Sequence, residues 1–373
     1  MLGGEFSRER DLYSLAVISL LLAASALMAE PLMITPAVIE IVLGVVAGAA
    51  GVPRTETVDL LAMIGSIFIM YMAGLEIDVR LLRKSIRGAL IVGLTSFTAP
   101  TLTVYLGLSL LGYNTEEAML TAIGTATTSV AVVYAIIRRR GLARRLTGQI
   151  ILAGAMIADV TSILAFVFLE AGISLPVIIY LSSVFFVAWG LALFLEWASG
   201  GEHEVELRLI LAFLIAASLI SEYVGVHAIL FAFLLGVASR PTVLKSHILE
   251  DKLAALTFGL LAPLFFINAG LHATPENPVA YSILAGLLLL LSYPVKILAT
   301  HLALIAAHAR TIRLRLSTVF GARLTVSTVI AFTGQATGKL SPDLAGAIIM
   351  SALIATLASA IIAGSPIPEE APH

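Results

Sequence analysis

The sequence of 373 residues contains no cysteine, which excludes disulfides and thiolate metal sites and leaves the redox compartment unreadable. Side-chain amides are nearly missing too: Gln149, Gln335, Asn114, Asn268 and Asn277 are the whole set. Depletion of Cys, Asn and Gln is a feature of proteins from hot environments, and a lipid-facing surface accounts for part of it here. Charge is scarce, at 12% of residues against about 25% in soluble domains. No basic run is long enough to serve a nucleic acid. No Walker-type phosphate loop is present, so ATP is not the energy source. His301 and His308 have no partner spacing that makes a metal site, and nothing in the chain calls for a cofactor.

What the chain has in excess is apolar residues, 59% of the total with a mean hydropathy of +1.03. A soluble core of that size has no polar cover, so the solvent around most of this protein is lipid. Apolar runs cut by Gly, Pro and charge clusters fall at 12–29, 33–52, 57–75, 87–111, 116–138, 146–170 and 174–197. They continue at 206–222, 226–239, 250–271, 278–308, 314–336 and 341–364. That predicts an all-α polytopic membrane protein with about thirteen spans. The first run lacks a clear small-residue cleavage site and reads as a retained span, not a signal peptide.

Arginine and lysine fall mainly in alternate loops. One set holds Arg80, Arg83, Lys84 and Arg87, then Arg138, Arg139, Arg140, Arg144 and Arg145. It continues with Arg240, Lys245, Lys252, Arg310, Arg313 and Arg315, whereas the opposite set is mostly acidic. The basic side is expected to be cytoplasmic in a plasma-membrane protein, with the N-terminus outside and the C-terminus inside.

Two spans carry small and polar residues where a lipid-facing helix carries Leu or Val. One stretch is Gly124-Thr125-Ala126-Thr127-Thr128-Ser129; the other is Gly321-Ala322-Arg323-Leu324-Thr325-Val326-Ser327-Thr328. The whole chain, 1–373, reads as one transmembrane unit with a first repeat at 12–170, a linker helix at 174–197 and a second repeat at 206–364. Six spans plus a linker invert the second repeat, and both interruptions then occupy the fifth span of their half. That is the layout in which discontinuous helices cross near the bilayer midplane around a transported solute.

Asp159 is the most informative residue, midway along the sixth span. A carboxylate near the bilayer centre costs at least about 2.5–3.5 kcal/mol, so such groups mark ion or proton pathways unless they form structural ion pairs. Lys296, after Pro294 in the eleventh span, is the matching cation; it either snorkels to the headgroups or neutralises Asp159. The hydroxyls of Thr125, Thr127, Thr128 and Ser129 in one interruption, and of Thr325, Ser327 and Thr328 in the other, either bond back to their own helices or stand with freed carbonyls as hard ligands for an alkali cation. Ser162 lies one turn after Asp159. Arg323 is expected to balance the carbonyl ends of the interruption or to sit near its cytoplasmic entrance. Glu76, near a span end, is an outer candidate.

The stretches Tyr71-Met72-Ala73-Gly74-Leu75-Glu76-Ile77-Asp78, Thr127-Thr128-Ser129 and Gly148-Gln149-Ile150 leading to Ala158-Asp159 resemble the monovalent cation–proton antiporter superfamily, in its sodium–proton antiporter and Kef-type branch. Gly225 to Gly236, Pro263-Leu264-Phe265-Phe266-Ile267-Asn268-Ala269-Gly270-Leu271 and Lys296 match in the same order. The resemblance implies a homodimer with a dimerisation part at 12–75 and 206–271 and an ion-binding core at 87–170 and 278–364. It implies that Asp159 binds the ion and the proton, with Thr127 and Thr128 beside it, and that Lys296 pairs with acidic neighbours. Asp159 is then a metal ligand for the transported alkali cation only. Two departures stand out: Ala158 occupies a position where members carry Asp or Asn, and Ser327 or a neighbour stands where many carry Glu. No Kef-like nucleotide-binding domain is expected after residue 364.

The expected activity is not enzymatic. It is exchange of Na⁺, or alternatively K⁺, for H⁺ across the bilayer, the two ions competing for Asp159. The rival readings are a sodium-coupled organic-solute symporter of the bile-acid type, with a roomier polar cavity, and a gated cation channel.

Overall fold

In hydrocarbon a backbone must satisfy its own N–H and C=O groups, and helices do so segment by segment. The computed structural model describes residues 2–32, 36–76, 86–139, 142, 145–172, 175–198, 203–224, 228–272, 278–307 and 314–364. Every regular element among these is helical. In chain order they are α1 (Leu2–Leu32), α2 (Pro36–Ala49), α3 (Glu56–Glu76), α4 (Ile86–Leu110), α5 (Thr115–Ala126), α6 (Val130–Arg139) and α7 (Leu146–Ala171). Then follow α8 (Leu175–Ala198), α9 (His203–Val224), α10 (Ala228–Val243), α11 (His247–Leu256) and α12 (Ala262–His272). Last come α13 (Pro278–Ala306), α14 (Leu314–Ser317), α15 (Thr325–Ala336) and α16 (Pro342–Gly364). Arg80, Arg83, Lys84, Arg140, Arg144, Arg310 and Arg313 of the orientation signal lie outside the described residues, as does the side chain of Glu76.

Among the described residues, eight helical stretches are long and apolar enough to cross a bilayer, including Leu146–Glu170, Tyr281–Ala306 and Leu314–Ala336. Pro36–Ala49, Ser182–Leu195 and Phe231–Val243 are shorter apolar helices. One interruption has no counterpart in the sequence reading. Between α11 and α12 the chain makes a π-turn over Thr257–Leu261, closed by Ala262 N–H donating to the Thr257 carbonyl. Its cause is the next residue: Pro263 has no N–H to continue the i→i−4 ladder, and the widened turn absorbs the gap.

The helices group into two units, Met1–Asp78 with Phe166–Thr274, and Val79–Ala165 with Pro275–His373. In the first, α2 lies along α12 and α3 along α10. Each crossing is glycine on glycine. A β-carbon on Gly44 would strike the Ile267 carbonyl and Gly270, and one on Gly74 would strike the Phe233 carbonyl and Gly236. The flanking residues recur: Leu43-Gly44-Val45 and Leu235-Gly236-Val237 supply one side of each crossing, Ala73-Gly74-Leu75 and Ala269-Gly270-Leu271 the other. Close backbone approach through small residues is what holds helices together where lipid supplies no hydrophobic drive. Ile18, Ala47, Val58, Ile267 and Leu271 fill the space beside α2 and α12.

In the second unit α4 packs on α13 and α5, and α16 on α13 and α15. Its core joins Val92 of α4, Ile137 of α6, Ile151 and Ala155 of α7, Leu304 of α13, and Val319 and Phe320 ahead of the second interruption. Gly93 lets α4 approach the Gly154 carbonyl and Ile157 of α7, which seats the helix carrying Asp159 against the helix carrying Ser96.

Gly74→Ala and Gly270→Ala are expected to lower the unfolding free energy by about 1–3 kcal/mol through overpacking. Gly286→Ala, whose new methyl meets nothing within 4 Å, is expected to leave the unfolding temperature unchanged or raised. Thermal unfolding of the detergent-solubilised variants reads the difference, and equal behaviour of the three would mean the crossings are not close-packed.

Candidate functional site

Helix α5 stops at Ala126, where Thr127 turns extended at φ −62° and ψ 166°, and α6 resumes at Val130. The residues from Thr121 to Ser129 are all buried. The second interruption follows a 3₁₀ turn over Thr318–Gly321: Ala322 is extended at φ −67° and ψ 119°, and α15 begins at Thr325. The two breaks touch through the main chain, Ser129 N–H donating to the Ala322 carbonyl at 2.7 Å.

A helix that ends leaves its last four carbonyls without intrahelical donors, and in a membrane interior no water replaces them. At the end of α5 three of these carbonyls receive side chains from distant elements. The Ser327 hydroxyl donates to Gly124 O at 2.6 Å, the Arg323 guanidinium to Thr125 O, and the Lys296 ammonium to Ala126 O at 2.6 Å. A helix C-terminus carries about half a negative charge, so two of the three donors being cations matches the field they meet. Lys296 makes a second bond, 3.1 Å to Ser96 O on α4. That carbonyl is orphaned by sequence, because the residue four positions on is Pro100, which has no N–H to give it. Arg323 is fixed at its backbone as well, its N–H donating to Thr356 Oγ1 at 3.0 Å.

Asp159 lies midway along α7 and is 5% exposed. It stands within electrostatic reach of Lys296, which is fully buried, as does Arg323. The expectation of a Lys296–Asp159 encounter therefore takes a specific form. The two charges act on each other, while the hydrogen bonds of the ammonium group to Ser96 and Ala126 go to main-chain oxygens. Ser162 bonds the Asp159 carbonyl at 2.7 Å, not its carboxylate.

The hydroxyls divide into two kinds. Thr125 turns back to Thr121 O and Ala122 O, and Thr328 to Leu324 O, the ordinary habit of threonine in a helix. Thr127 and Ser327 instead meet each other at 2.7 Å across the two breaks. Thr128 Oγ1 is buried with no hydrogen-bond partner, and Thr325 is half-buried at the start of α15. The freed carbonyls, expected to face a cation, are thus capped by protein at Gly124, Thr125 and Ala126. Residues not singled out from sequence also contribute: Ser96 and Ala126 through their carbonyls, and Thr356 through its hydroxyl. Pro100 was the available signal for Ser96.

A family model described as "Sodium/hydrogen exchanger, transmembrane" matches residues 16–366. The chain belongs to the sodium/hydrogen exchanger family. A relative within it, the probable Na(+)/H(+) antiporter 3 of Methanocaldococcus jannaschii, is 29% identical over 253 residues, 64% of this chain and 65% of that protein. The Na(+)/H(+)-K(+) antiporter GerN of Bacillus cereus is 25% identical over 341 residues, 85% of this chain and 86% of that one. Among solved structures, the sodium proton antiporter MjNhaP1 of M. jannaschii superimposes with a TM-score of 0.70 at 18% identity, covering 95% of this chain and 96% of that chain. The exchanger fold is thereby established.

In this exchanger-family chain, Lys296→Met removes the donors to two buried carbonyls and is expected to lower the unfolding free energy by on the order of 2–4 kcal/mol. Lys339→Met breaks a half-exposed pair with Glu116 at 3.2 Å, for which at most about 1 kcal/mol is expected. Thermal unfolding in one detergent compares the two, and equal losses would show that the capped carbonyls carry no special weight.

Proposed function

We propose that this chain is a secondary antiporter that exchanges a monovalent cation, Na⁺, for H⁺ by alternating access, the two ions competing for Asp159. The observation that carries the proposal is a carboxylate buried at the midpoint of a membrane helix, in the same unit as two interrupted helices. The relatives' names support the substrate class, and GerN's name keeps K⁺ as the second candidate.

The charge balance supports a simple cycle. Lys296 and Arg323 face helix-end and proline-freed carbonyls, which offset their charge with fixed dipoles. Among the described residues of that unit Asp159 is the one buried acid. Loading it with H⁺ or with Na⁺ gives the same net charge, and leaving it bare in a low-dielectric interior is costly. Exchange is then obligatory and one for one, with no net charge moved. Thr127 and Thr128 supply neutral oxygens beside it. By this reading, an organic-solute symporter would instead drive Na⁺ uptake with its substrate and without proton flux, and a channel would conduct without counterflow.

The assembly we propose is a plasma-membrane homodimer, joined through 12–75 and 206–271, with the N-terminus outside and the C-terminus cytoplasmic. The two repeats are inverted, which the exchanged Leu-Gly-Val and Ala-Gly-Leu crossings support.

In proteoliposomes, Asp159→Asn is expected to abolish cation-dependent proton flux while the protein stays folded. For the wild type, competition predicts that the apparent KM for Na⁺ rises about tenfold per pH unit on the acid side and levels off on the alkaline side. Flux is expected to ignore an imposed membrane potential. Undiminished exchange by Asp159→Asn excludes that residue as carrier. A voltage dependence worth about 2.3 kcal/mol per 100 mV would assign a second titrating group and a charge-moving cycle.

A further inference from the structure

We infer that Ser327 is a positioning residue for the transported cation, holding the Thr127 hydroxyl as an oxygen acceptor so that it offers the ion lone pairs and not a proton. The inference rests on the antiport reading and refines its site.

A hydroxyl has one proton and two lone pairs. Ser327 Oγ lies 2.6 Å from Gly124 O, and a carbonyl only accepts, so the single Ser327 proton points there. Thr127 Oγ1 lies 2.7 Å from Ser327 Oγ, and with that proton already engaged Thr127 must be the donor. The result is a directed chain from Thr127 through Ser327 to the end of α5, in which each bond strengthens the next. Both residues are fully buried, so water does not compete for either hydroxyl. No donor among the described residues reaches Thr127 Oγ1, which leaves both of its lone pairs unoccupied.

Thr127 alone would not adopt this state. Threonine in a membrane helix turns its proton to the carbonyl three or four residues back, as Thr125 does to Ala122 and Thr121. Three residues before Thr127 is Gly124, and Ser327 occupies that carbonyl. Ser327 therefore both takes the site where the Thr127 proton would settle and supplies the acceptor that draws it away. A second, independent sign of unoccupied oxygen at this break is Thr128 Oγ1, 1% exposed with no hydrogen-bond partner. Alkali and other hard cations take neutral oxygens as ligands, and a fixed lone pair binds them where a rotating O–H would repel them.

The test is Na⁺-dependent proton flux in proteoliposomes at several pH values. Ser327→Ala is expected to raise the apparent KM for Na⁺ about tenfold at every pH, with maximal rate kept within about twofold, since one oriented oxygen is lost. The pH at which KM levels off, set by Asp159, stays in place; a general distortion of the site would move it. Thr127→Val is expected to give the same rise, and the double variant no more than either alone. Ser327→Thr, which restores the hydroxyl, recovers the wild-type KM. If Ser327→Ala does not fold, Ser327→Cys replaces it, the weak thiol donor giving an intermediate rise. An unchanged KM in Ser327→Ala, additive effects in the double variant, or a displaced pH profile would each overturn the inference. Asp159→Asn separates the two levels: if it exchanges like wild type, competition at Asp159 fails and the site must lie elsewhere, and if it is silent while Ser327→Ala keeps its KM only the Ser327 role falls.

Discussion

The second unit is organised by main-chain carbonyls that have lost their donors inside a membrane. Interrupting α5 frees carbonyls at Gly124, Thr125 and Ala126, and placing Pro100 in α4 frees the one at Ser96. In water each would be hydrated at little cost, but in hydrocarbon each needs a partner or forfeits several kcal/mol. Ser327, Arg323 and Lys296 provide those partners from α15, the second break and α13. Helices α4, α5 and α13 and the stretch from the second break into α15 are thereby tied at one place, and the interruption that weakens a helix becomes the junction that holds its neighbours. The same device recurs in the first unit, where the Arg240 guanidinium donates to Leu75 O near the end of α3.

That arrangement explains how the buried Lys296 ammonium is tolerated; Arg323 meets one such carbonyl, at Thr125, while its Nε and Nη2 are buried with no hydrogen-bond partner. Ordinarily an unpaired buried charge is strongly destabilising. Here the counter-charge is partial and belongs to the backbone, so it does not titrate. Under the antiport reading, the cations held by carbonyls stay in place while the Asp159 carboxylate exchanges its ion.

How much of this was readable beforehand depends on whether the signal is local. Asp159 stood out because a carboxylate midway along an apolar span has few innocent explanations, and the stretches Gly124–Ser129 and Gly321–Thr328 each contain a break, at Thr127–Ser129 and Ala322–Leu324. The all-helical character was equally legible, since bilayer thickness sets the length of a span; about thirteen spans were expected, and eight stretches among the described residues are long and apolar enough to cross. The partners of Lys296 were not, because they are carbonyls: every residue has one, and only the position of a proline in another helix tells which is free. The π-turn at Thr257–Leu261 escaped for a related reason. Pro263 announces that a hydrogen bond is missing, yet whether the helix kinks, ends or widens there is decided by packing, here the close approach of Gly65 to Leu261. The glycine crossings α2–α12 and α3–α10 were hidden in the same way, since a glycine in an apolar run does not say which backbone it meets.

The two interruptions also divide the polar atoms of the site by how freely they can change partner. Carbonyls at the end of α5 are committed to donors on other elements, and Thr125 and Thr328 are committed to their own helices. The hydroxyls of Thr127 and Thr128, next to the point where the backbone leaves its helix, keep lone pairs to offer. A break made of Leu and Val would cost the same freed carbonyls and offer nothing in return; a break made of Asn or Asp would bring donors or charge of its own. Threonine and serine, on an extended stretch too short to close a helical turn, leave neutral oxygen in hydrocarbon with no intrahelical partner. Under the antiport reading that is the requirement for a site that must hold a desolvated cation and then release it.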